Sequence, residues 1–264
     1  MEAKEKIIVA LDIGTLRETE LLINQLAPHV GCFKFGLKFI YSLLSLMITQ
    51  YEEVAVDNLL RIRRILNALD GKIFLDVKLS DIPNTVGGAT EEIAKLNVKM
   101  FNVHASAGIE AMKAAVADKG NSLVLAVTVL TSLNARDIWN LGYVSSWQVE
   151  QWEHYSQIVK ERYISKLVLE MALIAKEAGI DGVICSPQEI EAVRSSCGPK
   201  FLIVTPGVRP KWAEVNDQKR VMTPKEAIEA GADYLVIGRP ITKPPGMSPV
   251  EAVKLIRDEI NSVL

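Results

Sequence analysis

The chain has 264 residues, 49% of them hydrophobic, and a formal net charge of −2. That length suits one large domain or two small ones, and an α/β barrel needs roughly 250 residues. The near-neutral balance and a pI of about 6.0 exclude a general nucleic-acid or membrane-surface binder, while leaving room for a local basic pocket.

In chain order, short apolar runs rich in β-formers fall at 7–12, 32–37, 73–78, 100–104, 123–130, 182–186, 201–205 and 234–238. Amphipathic helical patterns lie between them, at 15–26, 54–69, 85–96, 109–117, 166–178, 187–195 and 224–230. A last helix is expected at 249–263, with Ser248 as its N-cap. Strands that alternate with helices predict βα units and a parallel sheet. Eight such units predict a closed (β/α)8 barrel, an α/β fold. An open doubly wound sheet is the fallback, but no Gly-x-Gly-x-x-Gly follows the first strand.

No linker or low-complexity segment interrupts the pattern, so a single domain over 1–264 is expected. Two connections are swollen, 40–68 after the second strand and 134–165 after the fifth. The latter carries Trp139, Trp147 and Trp152. Extra surface helices are expected there in preference to lids.

Chemistry concentrates at Asp76-Val77-Lys78-Leu79-Ser80-Asp81-Ile82-Pro83-Asn84-Thr85, which follows the apolar run Ile73-Phe74-Leu75. Residues i and i+2 of a strand share a face, so Asp76 and Lys78 are expected side by side, with Asp81 just past the strand end. Charges on a buried strand face are expensive and need a reason. Pro83 is expected to close the strand, because it cannot donate to a ladder.

A barrel carries its site at the C-terminal ends of its strands. There the chain places Asp12, Lys34, Asp76 with Lys78, Asn102 with His104, Thr128 with Thr131 and Ser132, and Arg209 and Arg239. The carboxylates and lysines read as a charge network at a reaction centre, against the alternative of a structural ion-pair cluster. His104 reads as a hydrogen-bonded core histidine in preference to a base. Gly207, Arg209, Gly238 and Arg239 close the last two strands, where barrels often bind phosphate, and Gln218 lies on the loop between them.

With these residues in place, the chain resembles the orotidine 5′-phosphate decarboxylase family in its bacterial form. The segment from Asp76 to Thr85 matches that family's Asp-x-Lys-x-x-Asp-Ile-Pro-x-Thr signature. Supporting stretches include Lys34-Phe35-Gly36, Asn102-Val103-His104, Thr205-Pro206-Gly207-Val208-Arg209 and Gly238-Arg239-Pro240.

The resemblance implies a TIM barrel that acts as a homodimer with shared active sites and uses neither metal nor organic cofactor. It implies catalytic roles for Lys78, Asp76, Asp81 and Lys34. Lys78 would protonate C6 of the pyrimidine, and Asp76 would lie against the departing carboxylate. Asp12 and Lys34 would hold the ribose. Asp81 and Thr85 would reach the neighbouring subunit's site, and Thr131 would meet the pyrimidine. Gln218, Arg209, Gly238 and Arg239 would surround the phosphate. The implied partners are a nucleotide substrate and a second copy of the chain, with no nucleic acid and no membrane.

Two other readings are kept open. One is a sibling barrel, a keto-hexonate 6-phosphate decarboxylase or hexulose-phosphate synthase, which would need magnesium. The Ile82-Pro83-Asn84-Thr85 continuation argues against it. The other is a catalytically silent, phosphate-binding nucleotide sensor. The three cysteines, Cys32, Cys185 and Cys197, are widely spaced, which argues for a reducing compartment and against a disulfide framework or zinc site. With no apolar signal segment at the N-terminus, a cytoplasmic location is expected.

Overall fold

The computed structural model describes residues 1–12, 15–49, 52–69, 71–143, 156–213 and 221–264. Eight strands close into a parallel barrel in sequence order: β1 (Ile7–Ala10), β2 (Cys32–Gly36), β3 (Ile73–Leu79), β4 (Met100–His104), β5 (Leu123–Val127), β6 (Gly182–Ile184), β7 (Leu202–Pro206) and β8 (Tyr234–Ile237). Closure is made by β1 pairing with β8, with Ile8 opposite Val236.

The helices form the outer layer. They are α1 (Leu16–Leu26), α2 (Leu37–Thr49), α3 (Glu52–Ala68), α4 (Pro83–Ala94), α5 (Ile109–Ala117), α6 (Ala135–Asn140), α7 (Gln157–Glu177), α8 (Ile190–Cys197), α9 (Pro224–Glu229), α10 (Arg239–Thr242) and α11 (Pro249–Asn261). Side-chain oxygens of Thr15, Ser156, Thr223 and Ser248 cap the first turns of α1, α7, α9 and α11. Each such cap satisfies a backbone N–H that a helix start leaves without a partner. Among the described residues, no helix is long and apolar enough to cross a membrane.

The period-two alternation of each strand divides the core in two. Outward residues such as Phe33, Phe101 and Ile203 pack under the helices. Inward residues Ile8, Cys32, Phe74, Met100, Leu125, Val204 and Tyr234 fill the barrel interior. The interior is a plug of side chains, so a ligand has room only above it, at the strands' C-terminal ends. There the inward positions turn polar: Lys34 follows Cys32, Asp76 follows Phe74, and Asn102 follows Met100.

The expected extensions take helical form. After β2 come both α2 and α3, which account for the swollen 40–68. After β5, α6 and α7 flank residues 144–155, so Trp147 and Trp152 lie outside the described residues. One expectation is corrected. Pro83 does not close β3, which already ends at Leu79; it opens α4, at the position where its missing N–H costs nothing.

Candidate active site

A cavity of about 530 Å³ opens at the C-terminal end of the barrel, lined by residues at or just past the ends of β1 to β3 and of β5 to β8, and by α10. Asp12, Lys34, Asp76, Lys78, Thr131, Arg209, Gly238 and Arg239 all border it. Asp81 and Thr85 do not; both are exposed beside the start of α4. Gln218 lies outside the described residues.

Asp76 is the hub, with only 7% of its surface exposed. Its Oδ2 accepts from Lys34 Nζ at 2.8 Å, and its Oδ1 accepts from Lys78 Nζ at 2.5 Å and from Asn102 Nδ2 at 2.7 Å. Burial alone would push the Asp76 carboxyl up. The two ammonium groups and their hydrogen bonds outweigh it and hold the acid at about 2. A carboxylate flanked by two ammonium groups is compensated well enough to stay buried and ionised.

Gly36 makes room for this array. A Cβ at Gly36 would lie 3.3 Å from Lys34 Nζ and 3.5 Å from Asp12 Oδ1. Any side chain there would press on the lysine head.

His104 departs from expectation. Its ring is half-buried and makes no hydrogen bond among the described residues. Burial, and then the Lys78 charge, push its imidazole below the usual value, with Asp76 opposing. The result is a neutral ring at pH 7.

The opposite wall is basic. Arg209 follows Gly207, whose φ of +80° favours glycine. Its backbone N–H donates to the Met222 carbonyl at 2.9 Å, which fixes the loop after β7. The guanidinium is buried, and its Nε–H meets no acceptor among the described residues. Burial and the neighbouring Arg239 both lower its pKa from the ordinary value. Two cations are thus gathered on one wall around a donor that lacks an acceptor, and an anion would complete them.

Sequence reasoning names Asn102 at its strand end but does not assign it to the site. Its strand position is legible; its two hydrogen bonds into β3 are not. Lys243 also borders the cavity beyond Arg239, with no signal in the sequence to place it there. Among the described residues, no group of three or more His, Cys, Asp or Glu side chains is placed to hold a metal ion.

Comparison with known proteins agrees with the barrel fold. The family model described as Orotidine 5′-phosphate decarboxylase / HUMPS family matches residues 5–256. The orotidine 5′-phosphate decarboxylase of Syntrophomonas wolfei is 45% identical over 270 residues, covering 98% of this chain and 99% of the relative. That of Moorella thermoacetica is 43% identical over 272 residues, covering 100% of this chain and 95% of the relative. The crystal structure of orotidine 5′-phosphate decarboxylase from Lactobacillus acidophilus aligns with a TM-score of 0.71 at 31% identity, covering 97% of this chain and 98% of that one. A family model that matches nearly the whole chain and relatives above 40% identity over its full length show that the chain belongs to the orotidine 5′-phosphate decarboxylase / HUMPS family.

Proposed function

We propose that this chain is a carboxy-lyase that converts orotidine 5′-monophosphate to UMP and CO2, the last step of UMP biosynthesis, and that it does so in the cytoplasm as a single-domain enzyme. The observation that carries the reading is the Lys34–Asp76–Lys78 array at the floor of a cavity whose far wall is cationic.

In this reading the phosphate sits against Arg209, Gly238, Arg239 and Gln218. Asp12 and Lys34 hold the ribose hydroxyls, and Thr131 meets the pyrimidine. The substrate carboxylate then lies beside Asp76. When its bond to C6 breaks, CO2 leaves and the electron pair stays on C6. The Lys78 ammonium stabilises that charge as it develops and gives C6 its proton, and the neutral amine regains a proton from solvent. Phosphate binding, remote from the breaking bond, contributes energy that orders the site. The step requires neither metal nor organic cofactor. Asp81 and Thr85 come from a second copy of the chain in a homodimer.

The test is loss of orotidine monophosphate absorbance in excess chelator, with wild type and Lys78→Ala compared. Wild type should turn over and the variant should fall by at least the 10²–10³-fold typical of losing one preorganised donor. Dependence on added magnesium would favour the sibling reading. A variant that kept a tenth of wild-type turnover would remove Lys78 from its role.

A further inference from the structure

The β3–β4 ladder is broken at the site. Leu75 pairs with Phe101 and Leu79 with Val103, so Asp76, Val77 and Lys78 share the one partner position of Asn102. Absorbing the extra residues bends the strand, and Lys78 takes a φ of +52°, a left-handed conformation unusual for a side chain of its size. A backbone held in such a region needs surroundings that over-determine it.

Asn102 supplies them. It is fully buried, and its Oδ1 accepts the Lys78 backbone N–H at 2.7 Å. Its Nδ2 donates to Asp76 Oδ1 at 2.7 Å, the oxygen that also receives Lys78 Nζ. One amide therefore grips both ends of the bulge. Asn102 does not border the cavity, so it has no contact through which to bind substrate directly.

We propose that Asn102 is a positioning residue for the decarboxylation, fixing the Lys78 backbone and the Asp76 carboxylate so that the ammonium is aimed at the reacting carbon. This rests on the decarboxylase reading above. The amide is needed in this orientation, because Lys78 N–H requires an acceptor and the Asp76 carboxylate requires a donor. Leucine would offer neither, and aspartate would offer only the first.

The test compares wild type, Asn102→Ala and Asn102→Asp in turnover, UMP affinity and 13C NMR titration of the Asp76 carboxyl. In Asn102→Ala, kcat should fall on the order of 10²-fold, as for a reacting group displaced by about an ångström. UMP affinity should stay within a few-fold, and the Asp76 carboxyl should titrate higher for want of a donor. Asn102→Asp is isosteric and keeps the acceptor for Lys78, which protects its fold. It sets a second carboxylate against Asp76, with Lys34 and Lys78 opposing their repulsion and His104 farther along β4. At low pH the pair shares one proton, and that proton replaces the amide donor. Its kcat should therefore be highest in acid and fall as pH rises, a limb absent from wild type. Equal losses of kcat and UMP affinity in Asn102→Ala, or a pH profile of Asn102→Asp parallel to wild type, would overturn the proposal. If wild type itself fails on orotidine monophosphate, the decarboxylase reading falls. The titration then still decides whether Asn102 sets the state of Asp76, and an unmoved Asp76 rejects it.

Discussion

Asp76 stays charged because two ammonium groups and an amide replace the water it has lost. Its acidity, held at about 2 against an ordinary 3.8, links the site to folding stability. The folded value is the lower one, so the stabilisation is present above about pH 4 and is lost as pH falls through about 2. At about 1.4 kcal/mol per pH unit, the linkage contributes on the order of 2 kcal/mol. The urea-unfolding free energies of wild type and Asp76→Asn should therefore converge by about 2 kcal/mol between pH 5 and pH 2. A constant gap would mean that Asp76 titrates normally in the fold. At neutral pH the variant should be the weaker, since it leaves Lys34 and Lys78 facing one another without a counter-charge. The triad was legible in the sequence, because spacing put Asp76 beside Lys78 and the second strand's end put Lys34 at the same mouth of the barrel. The left-handed turn at Lys78 and the reach of Asn102 into it were not legible. Both depend on a register slip between β3 and β4, and no pattern within either strand encodes a slip between them.

The elements far from the cavity are held by a device used twice. Ala178-Gly179-Ile180-Asp181 leads into β6, and Ala230-Gly231-Ala232-Asp233 leads into β8. In each segment a left-handed glycine, with φ of +83° at Gly179 and +109° at Gly231, ends a helix and turns the chain into the barrel. The aspartate that follows accepts a backbone N–H from the preceding strand, Val124 at 2.7 Å for Asp181 and Ile203 at 2.8 Å for Asp233. Each also pairs with a cation at 2.6 Å, Lys119 for Asp181 and Arg194 for Asp233. Arg194 goes further and donates to the carbonyls of Gly198, Phe201 and Gly231. Removing such a charged acceptor costs about 1.5–3 kcal/mol. Asp233→Ala should therefore lower the melting temperature by roughly 3–10 °C while leaving kcat/KM unchanged, because Asp233 lies at the barrel end opposite the cavity. A fall in kcat/KM with no change in melting would place Asp233 in the site instead. The strands themselves were legible because their runs are β-branched, short and bounded by turn residues. The sequence pattern outlines α3 at 54–69, but α2 at Leu37–Thr49 gets no bounds of its own, for a physical reason. It starts directly from the end of β2 without a capping side chain. The stripe it turns to the core, Phe39, Leu43 and Leu46, is only partly buried and is masked in the sequence by the exposed apolar residues Leu37, Tyr41, Leu44, Met47 and Ile48 around it.

At the scale of the whole molecule, the family signature splits in two. Asp76 and Lys78 enter the cavity, whereas Asp81, Ile82, Pro83, Asn84 and Thr85 are all exposed. Ile82 is 66% exposed, and α2 and α3 leave Tyr41, Ile48 and Leu60 open as well. Asp81 Oδ1 accepts the Ile82 N–H at 2.7 Å. A charged residue that is exposed and takes no part in lining its own chain's cavity suits a two-fold interface, where each chain lends the same group to the other. The homodimer proposal makes a sharp demand on mixed subunits. Lys78→Ala and Asp81→Asn homodimers should each be nearly inactive. After subunit exchange, a hybrid dimer collects both defects in one site and neither in the other. Random exchange of equal amounts makes about half of the dimers hybrids, each with one good site, so activity should rise towards about a quarter of the wild-type value. If mass spectrometry shows exchange and activity does not return, Asp81 serves its own chain. The exposed signature residues would then need a different partner.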